Sequence, residues 1–337
     1  MSKRKDTNSL KNFSDLKKKY SRSVIKLGNS KAITFPQEWV TFINIQEGSE
    51  IFLYLIDKDT LAVRASELDE KKKSFSIDPI NWPSELVKKA LIGAFKLNVD
   101  EVHLKYTQTN ENVLFMVLTE LKKEIIGIDF RKVPENKEYR IHFLIDTSRT
   151  SIKEVIVDMI DIFERIIEFC VQGDLEKNYS YLSEEIERKY SLGTRILITG
   201  LQNYISINIV SDTPHIIQYL GHRIGILYLR DLIQKSLEIK FIQNGDLIKR
   251  YSSFLKQIPN FLKKIIEPYF EKEKSFEAKV KLQKDLYNLN ENLDSIKNQD
   301  ETFEQELRRT CEFYLNSLDN FLDIAVTRVI ESKIGLF

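Results

Sequence analysis

"RSVIKLGNSKAITFPQEWV", Arg22–Val40, holds a basic pair, a Gly-Asn-Ser turn, a short apolar strand and a proline-started helix. "RSVIKL" alternates and reads as a strand. "GNSK" reads as a turn, because Gly and Asn tolerate positive φ. "AITF" reads as a second strand. Pro36 falls at the first helical position of "PQEWVTFI", where a missing N–H costs nothing. A turn at "QEGSE" leads to "IFLYLI" and "LAVR", a hairpin across "DKDT". A unit of about 45 residues is near the lower limit for independent folding, so oligomerisation is the expected remedy.

Charge separates this head from the rest. The chain of 337 residues carries a net charge of +1, yet residues 1–31 hold ten Lys/Arg and two Asp/Glu, or +8. The remainder therefore carries −7. A basic head on an acidic body points to a polyanionic partner. Residues 1–19 read as a basic flexible tail with little apolar periodicity. Cys170 and Cys311 are far apart in sequence and form no C-x-x-C pair, so buried free thiols in a reducing compartment are expected. No apolar run reaches the ~18 residues that span a bilayer, and no signal-peptide core is visible. These features predict a cytoplasmic chain without membrane insertion.

Working outward, a charged linker "SELDEKKKS" separates the head at 20–66 from an alternating α/β connecting unit at 82–146. Its helices are "PSELVKKALIGAFKL" and "NVLFMVLTELKKEIIG". "EVHLKYT" is a strand, and "GIDFRKVPENKEYRIHFLI" holds one or two more. Trp39 reads as core, and Trp82 as an anchor at the start of the connecting unit. From Ser151 the helical period takes over. Six helices are expected near 151–172, 174–206, 213–243, 246–270, 273–298 and 301–333, the third starting at Asp212, Thr213 and Pro214. Two sets of three similar lengths predict two tandem three-helix bundles, at 150–243 and 246–333. The expected fold is thus multi-domain and mainly α, with a small β head.

"VIKLGNSKAITFPQEWVTFINIQEGSEIFLYL" resembles the AbrB/SpoVT swapped-hairpin DNA-binding fold of MazE-type antitoxins and AbrB-type regulators. The landmarks are Leu27, Gly28, Asn29, Ser30, Pro36, Trp39, Gly48 and Glu50. "LVKKALIGAFKLNVDEVHL", "LKKEIIGIDF" and "IKEVIVDMIDIFERIIEF" resemble archaeal PhoU-like phosphate-uptake regulators that carry such a head. The resemblance implies that two chains exchange hairpins through residues 20–66 and close one core as a homodimer. It also places the first strand and turn on the DNA face.

The DNA-binding candidates are Arg22, Lys26, Asn29, Ser30 and Lys31. Arg22 and Lys26, four apart on a strand, share a face with Val24 between them. Arg22 suits a bidentate base contact, and Lys26 and Lys31 suit phosphate. Asn29 has two readings, a left-handed turn residue or a base reader. Ser30 donates to phosphate or closes the turn.

PhoU-like proteins typically hold metal clusters on acidic helix motifs, where carboxylates four apart share a face. Here Glu187 answers to the family aspartate by similarity, Ser183 takes its partner's place, and Glu184 offers a substitute. In "YLGHRIGILYLRD", Ile226 and Leu227 replace the family's Asp and His. In "FLDIAVTRV", Asp323 remains, with Thr327 for Asn. Isoleucine and leucine ligate no metal, so no cofactor is expected and the two are expected to pack the seam between helices. Glu184, Glu187 and Asp323 stay as weak metal candidates. Asp158 and Asp161 read as a solvated or inter-bundle face. The histidines show no ligand spacing, and no nucleophile–base pattern or phosphate loop suggests an enzyme.

The expected function is DNA-binding transcriptional regulation linked to phosphate homeostasis. An alternative is a PhoU-type adaptor of a phosphate transporter ATPase or sensor protein, in which the head only dimerises. An antitoxin is disfavoured by the ~270 residues after the head.

Overall fold

The structure is a computed structural model that describes residues 20–55, 61–65, 72–147, 150–202, 216–241, 245–269, 276–296 and 302–333. The expected tail at 1–19, the Asp57–Thr60 turn, the Asp212–Pro214 helix start and His215 lie outside the described residues. The chain is mainly helical with small sheets. It forms two compact units that divide between residues 70 and 71.

Among the described residues the first unit holds two hairpins and one helix. Strands β1 (Ile25–Leu27) and β2 (Ser30–Ala32) pair antiparallel, with Leu27 opposite Ser30. Only Gly28 and Asn29 are left to turn. Gly28 takes φ +60° and Asn29 does not have positive φ, the pattern of a type II′ turn with glycine first. Because the turn is this tight, Ser30 and Lys31 join the ladder. The second strand is therefore Ser30–Ala32, not the expected Ala32–Phe35. Helix α1 (Gln37–Phe42) follows. Pro36 sits one position ahead of its expected place, as the N-cap at φ −58° and ψ 134°. Its carbonyl accepts from Trp39 and Val40 N–H at 3.0 and 3.1 Å. Strands β3 (Phe52–Leu55) and β4 (Leu61–Arg64) form the second hairpin.

Among the described side chains of this unit only Pro36 is buried, so they assemble no core of their own. Val24, Leu27, Leu53 and Leu55 are each more than 60% exposed. Trp39, expected in a core, is half-buried against Tyr20, with ring centroids 5.2 Å apart.

The second unit begins with an α/β layer. Its order is β5 (Ser74–Ile77), α2 (Ser84–Lys96), β6 (Glu101–Lys105), α3 (Glu111–Glu124), β7 (Ile128–Val133) and β8 (Glu138–Phe143). The sheet runs β5-β6-β8-β7, with β5 parallel to β6 and the other neighbours antiparallel. A parallel pair needs a crossover, and α2 supplies it. Strand β5 lies upstream of the expected start at residue 82. "SFSI" alternates for only four residues beside a charged run, and its partner is distant in sequence. Leu91 and Phe95 of α2 and Leu118 and Leu121 of α3 pack on Val102, Leu104 and Ile141. The other sheet face carries Glu101, His103, Arg140 and His142. Trp82, the expected anchor, is 41% exposed.

Among the described residues six long helices follow: α4 (Ile152–Gln172), α5 (Leu175–Gln202), α6 (Ile216–Leu237), α7 (Gly245–Tyr269), α8 (Glu277–Ser295) and α9 (Thr302–Lys333). Helix α4 shows why local sequence places them. Ser151 and Glu154 form a reciprocal capping box at 3.1 and 2.9 Å. Gly173, at φ +81°, ends the helix. Helices α4, α5 and α6 pack on one another, as do α7, α8 and α9. The seams α4–α7 and α6–α9 join the two triplets around one continuous core that includes Phe163, Leu182, Ile226, Phe254, Leu262 and Leu318. Cys170 and Cys311 are free and buried in it. Burial pushes the Cys170 thiol up to about 12.

Charged pairs fasten these seams. Lys263 of α7 meets Asp161 at 3.1 Å and Glu164 at 2.6 Å on α4, across the α4–α7 seam; within the first triplet, Lys189 of α5 meets Asp158 of α4 at 2.5 Å. Arg195 of α5 is fully buried against the α/β layer. Its guanidinium donates to the Phe95 and Val99 carbonyls, at 2.8 and 3.0 Å, where α2 ends. It also lies over the Phe95 and Phe143 rings. A cation here meets the negative end of the helix dipole.

Candidate nucleic-acid interface

The five DNA-binding candidates are all exposed. Lys26 and Lys31 are direct cross-strand partners, so they share one face of the β1–β2 ladder. Strand alternation puts Ile25, Leu27, Ser30 and Ala32 on the other face. Ser30 therefore stands with the apolar side chains and not with the lysines. Asn29 sits at the tip between the strands. With Gly28 taking the positive φ, Asn29 is not needed as the left-handed residue, and its side chain is spared for other work.

Arg22 departs from expectation. It precedes β1 and is not part of the ladder. Its guanidinium lies 5.5 Å from the centre of the Tyr20 ring and donates to the Ser21 carbonyl at 3.2 Å. Tyr20 is itself anchored: its hydroxyl donates to Glu38 Oε2 at 2.9 Å, and that bond to a carboxylate raises the tyrosine pKa. Sequence reading missed Tyr20 as the support for Arg22. The signal was an aromatic two residues before an arginine at the edge of a basic run, with Glu38 in the first turn of α1.

Like charges directly opposite each other destabilise a sheet pair. A three-residue ladder tipped by two lysines has little else to offset that repulsion. A row of phosphates would offset it.

The metal candidates are dispersed. Glu187 accepts from Arg230 Nε at 2.7 Å and from Gln234 Nε2 at 2.5 Å. Glu184 lies 3.5 Å from the Ser180 hydroxyl, and Asp323 is exposed on α9. Among the described residues no three His, Cys, Asp or Glu side chains gather as a metal site. Ile226 packs in the seam as expected, but Leu227 does not: it is 39% exposed. Successive helix residues point about 100° apart, so one faces the core and the next faces out.

A groove of about 260 Å³ between α7 and α8 is lined by Gln257, Asn260, Lys264, Asp285, Asn288 and Asn292. Gln257 and Asn260 spend their amide N–H groups on carbonyls of their own helix. Among the described residues no helix is long and apolar enough to cross a membrane.

Comparison with family models, curated proteins and solved structures found no match.

Proposed function

We propose that the chain is a dimeric DNA-binding regulator whose head contacts duplex backbone through the β1–β2 tip. The carrying observation is the Lys26–Lys31 pair, exposed and directly opposed on a tight hairpin. Lys26 and Lys31 engage phosphate, and Arg22 and Asn29 reach toward base edges. The uncovered apolar side chains of the head support dimerisation through residues 20–66, which doubles the basic tip about a two-fold axis. Two such tips suit a two-fold operator.

The resemblance to AbrB/SpoVT heads and PhoU-like bodies supports a link to phosphate uptake or homeostasis. On this reading the six helices act as two tandem three-helix bundles that receive the signal or a partner, such as a phosphate transporter ATPase or a sensor protein. Genome-wide DNA co-precipitation with the tagged chain tests the reading. Peaks beside phosphate-transport genes are expected. Uniform background would leave the head as a dimerisation device only.

A further inference from the structure

Among the described residues strand β7 is the outer strand of the four-stranded sheet and pairs with β8 alone. The ladder runs unbroken from Ile128 opposite Phe143 to Val133 opposite Glu138. Among the described residues the far edge of β7 therefore faces no strand. Free edges are usually blunted by a bulge, an internal proline or a free lysine. None of these is present within β7. Pro134 comes after the strand ends, and Lys132 is drawn back onto Glu111 and over the Tyr106 ring.

What the edge offers instead is Asp129 and Arg131. Both are exposed, both lie on the open sheet face, and neither has an ion-pair partner among the described residues. We propose that this edge docks a second copy of the chain, β7 against β7, to make a continuous eight-stranded sheet. A two-fold axis normal to the sheet keeps each face on its own side, so opposed residues must have the same parity. Centred on Phe130, the pairing sets Asp129 against Arg131 twice and Ile128 against Lys132. Centring on Arg131 or on Asp129 would oppose like charges. Charge thus selects both the occupant and the register.

The helix layer agrees. Phe130 is on the helix-covered face, and Phe115 of α3 meets it edge-on with ring centroids 6.1 Å apart. Phe115 is 52% exposed. In the paired sheet the two Phe130 rings meet at the axis, and each Phe115 gains apolar cover. This interface is separate from the head and does not rest on the function proposed above.

Disulfide trapping tests it in the full-length chain. Asp129→Cys and Arg131→Cys variants are co-expressed, mildly oxidised and run without reductant. Opposed positions lie about 5 Å apart, within disulfide reach, whereas 129–129 and 131–131 are diagonal and about 7–8 Å apart. A linked dimer is expected in the mixture and not in either variant alone. Arg131→Asp should weaken self-association through this edge roughly tenfold, and the Asp129→Arg/Arg131→Asp swap should restore it. Equal trapping in all three samples, or none in any while circular dichroism shows folded protein, overturns the proposal. Head-driven dimers cannot mimic a mixture-specific link at this register.

Discussion

Lys26 and Lys31 stand opposite each other across the β1–β2 ladder, one step from the Leu27–Ser30 pair that closes the turn. Their mutual repulsion predicts opposite effects on binding and stability. Lys26→Ala with Lys31→Ala should weaken duplex binding and flatten the plot of log affinity against log salt by about 0.9 for each phosphate no longer neutralised. The same change should leave the melting temperature unchanged or slightly higher, since a like-charge pair has gone. Fluorescence anisotropy between 50 and 200 mM salt reads the first effect, and thermal melts read the second. An unchanged slope would move the DNA-binding surface away from this hairpin.

The head should require a partner chain. Its apolar residues are uncovered, and two-stranded sheets are at best marginally stable alone. A fragment spanning residues 18–68 should sediment as a dimer, and its melting temperature should rise with concentration. A folded monomer at micromolar concentration would refute hairpin exchange.

Ile226 and Leu227 should respond differently to the same change. Ile226→Asp places a carboxylate in the core and should destabilise the chain by roughly 2–4 kcal/mol. Leu227→Asp, on the exposed side of α6, should stay within about 0.5 kcal/mol. Denaturant titration of the two variants against the parent chain distinguishes them.

Arg195 should act as a clamp. Arg195→Leu removes two charge-assisted bonds and leaves the Phe95 and Val99 carbonyls without this donor. A loss of about 2–4 kcal/mol is expected. Hydrogen exchange should quicken first around the end of α2 and the start of β6. Uniform quickening throughout the unit would argue against a local clamp.

His222 gives the chain an acid-sensitive component. Burial, and then the nearby Arg328 guanidinium, pushes its pKa down to about 3 from an ordinary 6.5. Between those values the unfolded chain takes up a proton that the folded chain does not. The stability this group contributes is therefore complete above about pH 6.5 and is lost as pH falls toward 3, at up to about 1.4 kcal/mol per pH unit. His222→Gln should remove that slope. Urea midpoints at pH 7 and pH 4.5 measure it, and an unchanged difference between them would assign the slope to other groups.

The long helices were legible because their signals are local. The Ser151–Glu154 capping box, the glycine at 173 and the apolar period between them act within a few residues, so chain order alone carries the information. The β3–β4 hairpin was legible for the same reason. The β1–β2 hairpin was found but shifted, because a two-residue turn in place of a four-residue one moves the pairing by two residues, which draws Ser30 and Lys31 out of the turn and into the ladder without exchanging the faces.

The amino-acid sequence by itself determined the helical character, the helix positions and the concentration of positive charge at the head. Tertiary structure alone decided which apolar residues count as core. Helix α6 is apolar around its circumference: Ile226, Leu229, Leu232 and Ile233 are buried, while Leu220, Ile224, Leu227 and Tyr228 are exposed. Each set keeps the helical period on its own face, so hydrophobicity does not tell the two faces apart, and only the neighbours α4, α5 and α9 choose between them. Long-range packing likewise recruited β5 into the sheet and buried Arg195, a residue that sequence alone would leave in water. Arg195 is held in the core by the Phe95 and Val99 carbonyls of another element, and that meeting joins residues about a hundred positions apart.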